Sequence, residues 1–110
     1  MEVTLDQILE ESKTKIDKIY TVDMPKREIV HIHPLKKLFK LKSLNLSMNM
    51  ISKFPDDFLE KNRSIKEVNV SCNSISDLTP LLNPGLVSLS FSFNQVTSLD
   101  NLKILRVLLT

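Results

Sequence analysis

The sequence predicts an α/β repeat fold: a right-handed, curved solenoid with a short parallel sheet on its concave side and a helical cap at its N-terminus. Residues 41–51 (LKSLNLSMNMI), 65–75 (IKEVNVSCNSI) and 86–96 (LVSLSFSFNQV) superimpose, each with apolar residues at positions 1, 4, 6 and 11 and asparagine at position 9. Their starts step from 41 to 65 and from 65 to 86, which is 24 and 21 residues, the period of a stacked supersecondary unit. Ahead of them, residues 4–18 carry apolar side chains at helical spacing.

In chain order, the helix comes first. Thr4 stands at its N-cap with Gln7 in capping-box spacing, and Leu5, Ile8, Leu9 and Ile16 form one apolar face. That face covers the open end of the first repeat, whose core a terminal position would leave in water. Residues 1–18 are therefore the cap and 19–110 the repeats. A degenerate repeat starts at Ile19, with Ile19, Val22, Met24, Ile29, Ile32, Leu35 and Leu38 at positions 1, 4, 6, 11, 14, 17 and 20 and Arg27 in place of the asparagine. The strong repeats follow from Leu41, Ile65 and Leu86. Within each, a strand is expected around positions 3 to 5, with positions 4 and 6 inward and 3, 5 and 7 outward.

The backs of the repeats differ. Residues 55–63 (PDDFLEKNR) offer Asp56 or Asp57 as N-cap to a helical turn, whereas 76–85 (SDLTPLLNPG), with two prolines and the only glycine, predict an irregular or 3₁₀ connection. From Val96 an apolar residue recurs at Leu99, Leu102, Leu105 and Leu108, so a further repeat is expected to begin at 108. A repeat halted there leaves its predecessor without a cover. The sequence alone leaves three readings: a partner or second copy covers that end, the last residues fold back, or the chain is the N-terminal portion of a longer repeat protein. The last is the preferred expectation.

These segments, LxxLxLxxNxL in outline, resemble the leucine-rich repeat family over roughly residues 19–110. The 21- and 22-residue spacing resembles the short intracellular subclass found in a protein phosphatase 1 regulatory subunit, an axonemal dynein light chain and a spliceosomal ribonucleoprotein subunit. The 24-residue repeat with FPDDF is more similar to the longer typical subclass. The resemblance implies a non-enzymatic protein-binding scaffold, with no catalytic residue, cofactor or metal to carry over. It also implies that Asn49, Asn73 and Asn94 turn inward as a ladder that satisfies backbone groups of adjacent repeats.

Composition agrees with a globular chain: 42% hydrophobic and 25% charged residues, a net charge of +2 and a single cysteine, Cys72. One cysteine makes no intramolecular disulfide, and the acidic start MEVTLDQILEES does not resemble a secretory leader, so a reducing, cytoplasmic location is expected, with nuclear or cytoskeletal and ciliary placement also open. No apolar run is long enough to predict a membrane span.

The candidate binding surface is the set of outward columns: Ser43, Glu67 and Ser88 at position 3, Asn45, Asn69 and Ser90 at position 5, Ser47, Ser71 and Ser92 at position 7. Beside them, Met48, Cys72 and Phe93 at position 8 form an apolar ridge of the residue types enriched at protein interfaces. The competing reading is plain solvated strand for the columns and packing against neighbouring turns for the ridge. Cys72 is read as a semi-buried small residue, since nothing places a base beside its thiol. His31 and His33 share a face of an extended run but lack further ligands, so they are read as a surface pair. Residues 26–42 hold six basic residues (Lys26, Arg27, Lys36, Lys37, Lys40, Lys42) against Glu28, which keeps a ribonucleoprotein role as the alternative. Phe39 is the only aromatic interleaved among them and its neighbours belong to the core pattern, so nucleic acid is not the expected partner.

Overall fold

The computed structural model describes residues 18–32, 35, 38–55, 58–59, 62–81, 83 and 85–96. Residues 4–17 of the expected cap, Asp56 and Asp57, and the apolar series from Leu99 to Leu108 lie outside them.

Four strands form one parallel sheet in chain order: β1 (Thr21–Asp23), β2 (Ser43–Asn45), β3 (Glu67–Asn69) and β4 (Ser88–Ser90). Thr21, Ser43, Glu67 and Ser88 share one register line, Val22, Leu44, Val68 and Leu89 the next, and Asp23, Asn45, Asn69 and Ser90 the third. These are template positions 3, 4 and 5, so the degenerate repeat from Ile19 pairs in the register its apolar spacing predicts. Three-residue strands are short, yet the backbone ladder runs on past them. Met24, Leu46 and Val70 donate N–H bonds to the carbonyls of Asn45, Asn69 and Ser90, and Lys26, Met48 and Cys72 to those of Ser47, Ser71 and Ser92. Before the strands, Lys42 N–H bonds Tyr20 O at 2.7 Å, Lys66 N–H bonds Lys42 O at 2.9 Å and Val87 N–H bonds Lys66 O at 2.8 Å.

The core is what the spacing selects. Position 1 (Ile19, Leu41, Ile65, Leu86), position 4 (Val22, Leu44, Val68) and position 11 (Ile29, Ile51, Ile75) are all buried, while Leu89, Phe91 and Val96 of the repeat from Leu86 pack against them half-buried. Behind the first strand the chain descends in steps of three: Leu35 N–H bonds Ile32 O, Leu38 N–H bonds Leu35 O and Leu41 N–H bonds Leu38 O at 3.0, 3.0 and 3.2 Å. Bonds of that span belong to a turn of three residues, so apolar side chains recurring every third place fall on one buried face.

Behind β2 the longer repeat places Phe54 against Phe58, ring centroids 5.0 Å apart and tilted by 47°, with Phe58 N–H bonded to Pro55 O. Behind β3, Thr79–Leu81 form a 3₁₀ helix, the connection expected from its prolines. Asp77 starts it: its Oδ1 accepts the Thr79 N–H at 2.9 Å. The Thr79 side-chain bond, then this backbone bond, hold the carboxyl below the usual carboxylate range against a small opposing effect of burial, and Lys53 adds to the lowering. Among the described residues there is no α-helix.

Candidate interaction surface

The surface is built by one backbone device. At position 8, just past each strand, φ is positive: 56° at Lys26, 55° at Met48, 59° at Cys72 and 57° at Phe93. None is glycine or asparagine, so each left-handed residue carries a steric cost of roughly 1–2 kcal/mol. In the three strong repeats the reversal turns position 8 outward and the following asparagine inward. Asn49 Oδ1 accepts the N–H groups of Arg27 (2.9 Å) and Ile29 (3.1 Å), while its Nδ2 donates to Met24 O (3.0 Å) and Leu46 O (2.8 Å). Asn73 accepts from Ile51 N–H (3.0 Å) and donates to Leu46 O and Val70 O, both at 2.9 Å. Asn94 accepts from Ile75 N–H and donates to Val70 O and Phe91 O, all at 2.9 Å. Each asparagine thus ties its repeat to the preceding one, and its bonds offset the strain one residue earlier.

That geometry sets how far the ridge stands out of the fold. Met48 is 48% exposed and Phe93 84% exposed, and Met50 beside them 58%. Cys72 is also exposed, which corrects its reading as a semi-buried residue: the left-handed backbone swings its thiol away from the core. Of the polar columns, Glu67, Ser88, Ser90 and Ser92 are exposed and Ser43, Asn45, Asn69 and Ser71 half-buried. Ser47 departs from the outward expectation, being buried, with its carbonyl accepting from Lys26 N–H and from Asn49 Nδ2. Two of the column residues are pinned. Asn45 Oδ1 accepts from Ser47 N–H and its Nδ2 donates to Asp23 Oδ1 at 2.9 Å across the sheet, while Asn69 Oδ1 accepts from Ser71 N–H.

A second asparagine pair escapes the sequence template. Asn62 and Asn83 are buried on the back. Asn62 Oδ1 accepts from Ser64 and Ile65 N–H at 2.8 and 2.7 Å and its Nδ2 donates to Leu38 O. Asn83 donates to Leu59 O and Asn62 O at 3.0 and 2.7 Å and accepts from Gly85 N–H. Counted from the start of their repeats they fall at different positions. Counted back from the next start, Ile65 or Leu86, both sit three residues ahead, and that alignment would have found them.

The basic block of residues 26–42 is divided by the fold. Lys26 and Arg27 lie past the end of β1, whereas Lys40 and Lys42 lie before the start of β2, with a strand's length between them; Lys36 and Lys37 lie outside the described residues. Phe39 is not held in the core but 51% exposed. His31 is exposed, and His33 lies outside the described residues. Among the described residues no group of three His, Cys, Asp or Glu stands close enough to hold a metal ion, and no helix is long and apolar enough to cross a membrane.

A family model described as Leucine Rich repeat matches residues 61–78, the stretch that contains β3, Asn73 and Ile75. None of the curated proteins matches the chain significantly. With four parallel strands in one sheet, the match supports an α/β leucine-rich repeat. Such motifs generally mediate protein–protein interaction and are generally non-enzymatic.

Proposed function

We propose, with the leucine-rich repeat of residues 61–78 as premise, that this chain is a non-enzymatic solenoid scaffold that binds a protein partner across its exposed sheet face. The subclass that fits the short repeats is the intracellular one, in a reducing, cytoplasmic setting, with residues 4–18 as a helical cap. The observation that carries the reading is the row Met48, Cys72 and Phe93, held outward by left-handed backbone beside the Ser and Asn columns. Keeping a phenyl ring 84% in water forgoes burial that would stabilise the fold by roughly 1.5–3 kcal/mol, and a partner that covers the ring recovers it. Flanking hydroxyls and amides supply the hydrogen bonds of an interface rim.

The test is affinity capture of partners with the native chain and with Met48→Ala combined with Phe93→Ala. Both side chains are exposed, so the variant keeps its fold, and loss of captured protein is expected. Retention of every partner by the folded variant would show that the row is not the binding face.

A further inference from the structure

The other end of the strands carries a different chemistry. Where the strands begin, positions 0 and 2 of successive repeats flank a buried position 1. The repeat spacing places there a set of cations from separate stretches of sequence, Lys18 and Lys40 at position 0 and Lys42 and Lys66 at position 2, all exposed. Tyr20, Lys42, Lys66 and Val87 form one line, joined backbone to backbone, with adjacent members about 4.8 Å apart as neighbouring strands are. No Asp or Glu occurs in residues 18–20, 39–42, 62–66 or 85–87. The Lys42 ammonium sits over the Tyr20 ring, 5.4 Å from its centroid, which fixes one charge of the row without neutralising it.

We infer that this strand-start rim is a docking surface for an acidic segment of a protein, a run of Asp and Glu lying across the strands over Lys40, Lys42 and Lys66. The inference goes beyond the apolar row, since the rim lies at the other end of the strands and can act with or without it. Charge complementarity selects an anion. A peptide rather than a single-stranded nucleic acid is selected by the aromatics: base stacking needs open ring faces in series, and of Tyr20 and Phe39 the tyrosine already has a face held by Lys42. Exposed carboxylate–ammonium pairs spread over several repeats add in number rather than in individual strength.

Fluorescence anisotropy of a labelled glutamate–serine peptide titrated with the intact chain reads the inference directly, with a labelled oligouridylate as the second probe. Saturable peptide binding that weakens as salt rises is expected. Lys42→Gln with Lys66→Gln should weaken it about tenfold, while Lys26→Gln with Lys53→Gln, equal in lost charge but away from the rim, should change it little. Phe93→Ala should also leave it unchanged, which separates this surface from the apolar row. No peptide binding, equal weakening by the two charge-matched pairs, or tighter binding of the oligouridylate would each overturn the assignment.

Discussion

Cys72 illustrates how a single dihedral governs what a residue type means. Its size and sulfur suit a half-buried site, and nothing in its neighbours along the chain contradicts that. Its φ of 59° puts it in solvent, because only a left-handed residue there lets Asn73 reach Leu46 O and Val70 O. A β-branched side chain is least tolerant of that conformation, so Cys72→Val should destabilise by about 1–2 kcal/mol. Cys72→Gly should fall within about 0.5 kcal/mol of the native chain, relief of strain and added freedom of the unfolded chain nearly cancelling. Urea midpoints of the three proteins measure the difference. Asp77 gives a residue-scale prediction in pH. Its carboxyl titrates below its ordinary value in the folded chain because of its bonds from Thr79. Its contribution is therefore present above the unfolded carboxylate value and lost as pH falls through the lower folded one. Asp77→Ala should lower the denaturation midpoint at neutral pH, and the gap should close on acidification below about pH 4.

At the scale of the repeat, the inward asparagines at position 9 were legible because they recur at a constant distance from the apolar residues of the strand. Asn62 and Asn83 were not, because insertion behind β2 makes that repeat three residues longer than the next and shifts them relative to its start. The structural reason for their position is the following strand: each closes the turn that feeds the next buried position 1, and reaches a carbonyl of the preceding turn. Asn83 donates to two buried carbonyls, and Asn73 serves a comparable set at the other end of the strand. Asn83→Ala and Asn73→Ala should therefore cost similar amounts, about 1–3 kcal/mol each. Chemical denaturation that found Asn83→Ala without effect would reduce the back ladder to a consequence of packing. The strand-start rim was hidden from sequence reading for a related reason. Its cations come from residues 18, 40, 42 and 66, which only the stacking of the repeats brings to one end of the strands, whereas the contiguous basic block at 26–42 is split to opposite ends of the strands.

For the described residues as a whole, burial is deepest in the middle repeats and thins toward β4. Leu44 at the centre of β2 is 1% exposed, whereas Leu89 at the same register position in β4 is only half-buried. Leu44→Ala should accordingly cost about 2–5 kcal/mol, and Leu89→Ala clearly less, a contrast that paired denaturant melts resolve. Equal losses would mean that the sheet's stability is shared evenly along its length. The sheet order and register were legible because strands of this kind inherit their alignment from a fixed spacing, while the gradient was not, since the apolar template is as complete in 86–96 as in 41–51. The asparagines add a direction to this arrangement. Asn49, Asn73 and Asn94 bond to their own repeat or to the one before it. On a ribosome, where a chain emerges N-terminus first, each of these side chains meets partners that have already been made. A newly synthesised turn can be proofread against its predecessor without waiting for any residue still to come.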